Sequence, residues 1–170
     1  KMAGQKMAEF LIDRGHTKLA FISGLDSHSA SAQREAGFWA AVEAHGLKRK
    51  DMMRIGGDFS MQSGFTAFNA LAKSKKNITG VFAANDEMAI GTIIAALRAG
   101  KKVPEEMSVV GFDNSAFARA MWPPITSLAQ PIEDMAKFSA QKIIDWIDSK
   151  DREQSHYEFA TEIMVRDSCP

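Results

Sequence analysis

Cysteine is nearly absent: the chain holds one, Cys169, close to its C-terminal end. A single thiol excludes an internal disulfide and fits a reducing compartment, so a cytoplasmic location is expected. Charge of one sign is also missing, because 21 Lys and Arg balance 21 Asp and Glu. Gripping phosphates needs a basic face, so this segment is not expected to hold DNA or RNA by itself. No apolar run reaches membrane-spanning length. The opening residues, KMAGQK, carry no apolar signal region, so no membrane partner is expected. Catalytic signatures are missing too. There is no G-x-G-x-x-G, P-loop, G-x-S-x-G elbow or H-E-x-x-H, and no Cys/His set with zinc spacing. His28 between Ser27 and Ser29 is no triad signal, since neighbours in sequence say little about geometry. The expectation is a binding protein, not an enzyme, with no cofactor and no metal.

What remains is ordinary for a globular domain: 170 residues, 45% hydrophobic and 25% charged. A chain of this length can bury a core without staples. Two apolar periods alternate along it. A helical pattern is already running at residue 2, which suggests a piece of a longer protein; Gly15 closes it. Strand-like runs follow at 18–23 (KLAFIS), 52–55, 80–84 (GVFAA), 108–112 (SVVGF), 125–129 and about 157–165. Helical patterns lie between them at 32–45, from Met61 to Ala72 with Ser60 as N-cap, at 86–98, and from Pro131 to about residue 149. A short helix is expected near 115–120, and a polar linker at 149–156 (SKDREQSH). Short apolar strands alternating with helices predict a three-layer α/β/α fold with a mainly parallel sheet.

In such sheets ligands bind beyond the carboxyl ends of the strands. The residues there are polar. His28 lies on the loop after the first strand, and Arg34 one turn into the next helix. Asp58 and Phe59 follow the second strand, Asn85 and Asp86 the third, Asp113 the fourth and Gln130 the fifth. Arg34 offers a planar fork of donors, Asp113 two acceptor oxygens, and Asn85 and Gln130 both kinds. With Phe59 as an aromatic face, the set suits vicinal hydroxyls or a planar heterocycle. Plainer roles compete. Asn85 or Asp86 caps the following helix, Asp58 makes a turn, Asp113 caps the short helix, Arg34 lies on the surface, Phe59 fills the core. His16 is expected against the carbonyls ending the first helix, and His45 in the last turn of its own. The lysine-rich stretches after helices read as solvated loops. The segment 88–97 (MAIGTIIAAL) has no charge, which predicts that its outer face is covered, either by a second subunit or by the rest of the chain.

Several blocks resemble one family. VFAANDEMAIG at 81–91 is similar to the "ANDxMAxG" block of the lactose/galactose repressor family of bacterial transcription regulators. RGHTKLAFISG at 14–24 resembles its "GHxxIAxIxG", VPEEMSVVGFD at 103–113 its "VPxDxSVVGFD", PPITSLAQP at 123–131 its "PPLTTIxQP", and IMVRDS at 163–168 its "LIxRxS". Order and spacing agree over essentially the whole chain. The resemblance implies one lobe, the C-terminal one, of a periplasmic-binding-protein-like fold. It would comprise 1–130 and 157–168, with the helix 131–150 packing on a first lobe and the DNA-binding domain lying outside this chain. It also implies an effector held by Arg34, Phe59, Asn85, Asp113 and Gln130. His28 would sit at a position that varies and helps set ligand choice. An arginine there accompanies purine effectors in one branch; histidine in its place leans toward a sugar or sugar derivative. A homodimer through the 88–97 helix region is implied as well. A periplasmic sugar-binding protein of a transporter is the alternative function.

Overall fold

The computed structural model describes residues 1–149 and 157–170, so the expected linker lies outside the described residues beyond Ser149. In chain order the elements are α1 (Met2–Asp13), β1 (Leu19–Ile22), α2 (Ser29–Ala44), β2 (Met53–Ile55), α3 (Met61–Lys73), β3 (Gly80–Ala83), α4 (Asp86–Arg98), β4 (Ser108–Phe112), α5 (Ala116–Ala120), β5 (Thr126–Ala129), α6 (Ile132–Ser149) and β6 (Glu162–Met164). The sheet order is β2-β1-β3-β4-β5-β6. Strands β1 to β5 pair in parallel and β6 runs antiparallel to β5. Every residue of β1, β3 and β4 is buried, which is why these strands read as unbroken apolar runs and not as alternating ones.

Helices α1 and α2 pack together, and α3 packs on α4. Right-handed crossovers place the two pairs on opposite faces of the sheet. Both pairs close to backbone contact through glycine. A Cβ on Gly64 of α3 would lie 2.0 Å from the Met88 carbonyl oxygen, and one on Gly91 of α4 would lie 1.9 Å from that of Met61. On the other face, Gly4 and Gly37 serve α1 and α2 in the same way. This close approach accounts for the uncharged segment in α4. Met88 to Ile93, Ala95 and Ala96 are all buried within the chain itself, so no second subunit is needed to cover them.

One buried carboxylate joins three elements. Asp86, the first residue of α4, is 1% exposed. It accepts hydrogen bonds from Ser127 Oγ on β5 and from the Ser115 amide at the start of α5, both at 2.6 Å. Its carboxylate fills the space a side chain on Gly111 would need, with Oδ1 2.2 Å from an ideal Cβ there. Asp86 therefore does not cap α4; Asn85 does, accepting from the Met88 amide at 3.0 Å. Burial pushes the Asp86 carboxyl above its ordinary value, opposed by the bonds from Ser127 and Ser115.

Other expectations shift for physical reasons. Helix α2 begins at Ser29, three residues earlier than the apolar pattern suggests, because its first turn is small and polar. Strand β6 covers only Glu162–Met164, and Tyr157 instead meets Phe138 of α6 edge-on. His16 meets the end of α1 as expected, through its amide on the Leu11 carbonyl at 3.2 Å, while its ring Nδ1 pairs with Thr79 Oγ1 at 3.0 Å. His45 does meet a carbonyl of its helix, that of Ala41, at 2.9 Å. Lys76 is not merely solvated, for its ammonium donates to the carbonyls of Lys50 and Met52. The apolar stripe of α6 faces outward, with Ile143 54% and Ile147 72% exposed. No described helix is long and apolar enough to cross a membrane.

Two outcomes are expected. Gly64→Ala should lower stability by about 1–3 kcal/mol in urea unfolding, the usual cost of overpacking, since backbone blocks the new methyl; an unchanged midpoint would mean the helices part freely. Asp86→Ala should also destabilise, by about 1–3 kcal/mol, through two orphaned donors, and Asp86→Asn by less. Because the folded-state pKa is raised, the proton is held more tightly in the native state. Stability from this group is therefore fullest below the unfolded carboxylate range and declines as pH rises through the folded value. Unfolding followed across that acidic window should show the decline in the parent protein and a smaller one in Asp86→Asn, where the raised Asp113 carboxyl still contributes.

Candidate functional site

Helices α2, α3, α4 and α5 all begin at the carboxyl edge of the sheet, so their positive dipole ends point toward it. The site is assembled from the residues linking strands to these helices. Arg34 is the centre of one cluster. Its guanidinium lies 3.8 Å above the Phe112 ring and donates to the Ala84 carbonyl at the end of β3. A second N–H reaches Asp113 Oδ1 at 3.4 Å, a long contact, with the two side chains 14% and 36% exposed. The same Asp113 oxygen accepts a shorter bond, 2.8 Å, from Gln130 Nε2 beyond β5.

The turn that presents Asp113 is strained. Asp113 and Asn114 have φ of 103° and 54°, left-handed values that short polar side chains tolerate better than most. It is held by the Asp113 amide on the Leu128 carbonyl at 2.9 Å and the Asn114 amide on Ser127 Oγ at 3.0 Å. Arg166, from the C-terminal segment, donates to Asn114 Oδ1 at 2.5 Å. Burial raises the Asp113 carboxyl, helped by repulsion from Asp86 and opposed by the Arg34 charge and the Gln130 bond. Burial lowers Arg34 from a value so high that it stays charged. The cap of α5 is Ser115, not Asp113, which leaves the Asp113 carboxylate available to the open edge.

A second cluster is aromatic. Phe59 has φ of 69°, a costly conformation for a bulky residue. Its carbonyl accepts from Asn85 Nδ2 at 2.9 Å, so the amide that caps α4 also fixes the Phe59 loop. Asp58 is a turn residue as expected, accepting from the Ser60 amide at 2.9 Å. The bond from the Ser60 hydroxyl at 2.5 Å, and after it that from the Ser60 amide, lower its pKa. His28 occupies the N-cap position of α2 without a side-chain capping bond. Its ring stacks on Phe59 instead, with centroids 5.7 Å apart and planes 29° from parallel.

All six candidate residues therefore stand on one rim. Arg34, Asp113 and Gln130 share direct bonds; Phe59, Asn85 and His28 form the aromatic side, joined to the first cluster through the adjacent Ala84 and Asn85. Sequence reasoning missed Asp86 and Arg166 as the supports of the Asp113 turn. Arg166 was visible only as part of a recurring block. A hollow of about 340 Å³ lies at the opposite edge, lined by Phe68, Leu71, Met107 and others, and includes none of the six. Chemically, the rim offers charged and neutral donors, a half-buried carboxylate and stacked rings, groups whose chemistry suits hydroxyl-bearing ligands. Among the described residues no group of His, Cys, Asp and Glu is placed to hold a metal ion.

Residues 8–169 match the family model of the periplasmic binding protein-like domain. Among curated relatives, the "Probable HTH-type transcriptional repressor ExuR" of Bacillus subtilis is 33% identical over 168 residues, 99% of this chain and 50% of that protein. The solved complex of the transcriptional regulator CelR with cellobiose superposes with a TM-score of 0.92 at 32% identity, over 98% of this chain and 51% of that one. A LacI family regulator from Enterococcus faecium with bound ribose superposes at 0.90 with 28% identity, over 97% and 61%. The chain spans about half the length of the curated relatives it matches. It belongs to the periplasmic-binding-protein-like family, in the form of the effector-binding domain of LacI-family transcription regulators.

Proposed function

We propose that this domain senses a sugar or sugar derivative and thereby controls DNA binding by a bacterial repressor. The observation that carries the proposal is the Arg34–Asp113–Gln130 network standing beside the His28–Phe59 stack on one open edge. A pyranose or furanose presents hydroxyls to the first and an apolar ring face to the second. Relatives solved with cellobiose and with ribose support the ligand class. The other half of the cleft belongs to a first lobe supplied by the rest of the protein, and that lobe also covers the exposed face of α6. DNA is read by a separate N-terminal helix-turn-helix domain, and the protein works in the cytoplasm. Effector binding shifts the lobe arrangement only through unequal affinity for two states. A transporter's periplasmic sugar-binding protein would use a similar lobe; the relatives named as regulators favour transcription.

The homodimer we propose uses the surroundings of α4, not its buried interior. Its neighbours α3 and α5 leave Met61 43%, Phe117 70% and, just after α5, Trp122 78% exposed. Exposed apolar side chains of this size suit a subunit contact.

Two tests follow. A thermal-shift screen of the full-length protein with sugars, sugar acids and nucleobases should find a stabilising sugar, since a ligand that binds only the folded state raises the melting temperature. Arg34→Ala and Asp113→Ala should then each weaken that ligand by about tenfold or more, the loss of a charged hydrogen bond being about 1.5–3 kcal/mol; normal affinity in both variants would remove the assignment. For the dimer, Phe117→Glu combined with Trp122→Glu should sediment as a monomer. A dimer of undiminished strength would place the contact elsewhere.

A further inference from the structure

We infer that Gly24 is a positioning residue, which sets how deep the aromatic plate of the site lies. This rests on the ligand-binding proposal above. Gly24 lies two residues beyond the end of β1, and its backbone does not demand glycine, because the positive-φ glycines are Gly15, Gly46 and Gly100. Space demands it. The three atoms nearest an ideal Cβ at Gly24 all belong to the outer end of the Phe59 ring: Cζ at 1.9 Å, Cε1 and Cε2 at 2.3 Å. The ring thus lies directly on the bare backbone of residue 24, with His28 stacked against it.

The contrast with the other close glycines is informative. Gly64 and Gly91 are blocked by carbonyl oxygens of a neighbouring helix, and Gly4 by the backbone of Arg34. Those glycines set helix packing. At Gly24 the obstacle is the far end of one side chain, which can swing. The Phe59 main chain is less free. Asn85 holds its carbonyl, and Asp58 holds the next amide. Gly57 carries the loop so close to β1 that a Cβ there would lie 2.6 Å from the Ser23 carbonyl oxygen. A methyl at position 24 therefore moves the ring and not the chain. The ring must retreat outward by more than ~1 Å to regain van der Waals contact. That displacement breaks the stack with His28 and brings the ring further out over the rim. Glycine at this position accordingly reserves depth for a ligand with a ring face, and the larger sugar is excluded first when the depth is lost.

The test uses Gly24→Ala, Phe59→Leu and the double variant in the full-length protein. In a crystal structure of Gly24→Ala, the Phe59 ring should be displaced and its stack with His28 lost, while the melting temperature stays within about 2–4 °C, the shift of a roughly 1 kcal/mol change in a domain of this size. Titration calorimetry with D-ribose, D-glucuronate and cellobiose should show any probe the parent binds weakened by roughly tenfold. In the Phe59→Leu background, adding Gly24→Ala should change affinity by less than about twofold, because the two sites act through one contact. An unmoved ring, or equal losses in both backgrounds, overturns the inference. So does a double variant that fails to fold, since removing the ring removes the clash. A parent protein that binds none of the probes counts against the sugar assignment, while the ring position in the variant still decides the role of Gly24.

Discussion

The buried carboxylate of Asp86 is the constraint on which the edge of the sheet depends. It stands where β3 turns into α4, yet its bonds run sideways, to Ser127 on β5 and to the start of α5. Ser127 Oγ in turn accepts the Asn114 amide. The strained turn carrying Asp113 is therefore held from beneath by a group that never reaches the open rim. Burying a carboxylate is unfavourable unless its oxygens are satisfied, and here two donors supply that satisfaction. Gly111 completes the device by leaving room for it. The arrangement explains how a left-handed Asp–Asn pair can be presented with a fixed orientation at the end of a short strand.

Much of the architecture was legible because burial on both faces leaves a plain signature. β1, β3 and β4 are almost wholly apolar, Ser108 being the one polar residue among them, and are bounded by turn residues, so their positions and parallel pairing follow from pattern alone. The start of α2 did not, since Ser29, Ala30 and Ser31 carry no apolar period. Absence of charge in α4 was read correctly as a sign of cover, but the cover comes from its own chain. Glycine at positions 64 and 91 lets α3 approach so closely that most of the uncharged segment is buried, Ile94 being half-buried and Leu97 exposed. Local rules favoured Asp86 as a cap; its true partners lie 29 and 41 residues away, beyond the reach of any local rule.

For the site, the residue types at the strand ends were enough to name all six rim positions, but not their division of labour. Asn85 was weighed as cap or ligand contact, and its amide both caps α4 and ties down the Phe59 carbonyl. Much of its hydrogen-bonding capacity is thus committed to the protein. Arg34 is similarly engaged, flat on Phe112 and bonded to Ala84. That leaves Asp113, Gln130 and the ring pair as the groups most open to an incoming molecule. Geometry of this kind depends on contacts between distant segments, which periodicity does not encode.

The two outermost strands, β2 and β6, are only three residues long. Each offers scarcely any free ladder, and β2 places the charged Arg54 at its middle, bound to Asp26 and Glu35. A second chain cannot zip onto so brief a border. Lateral growth into extended ribbons is thereby discouraged at both margins. At both margins the surface left to a neighbour is made of side chains, not of unpaired backbone.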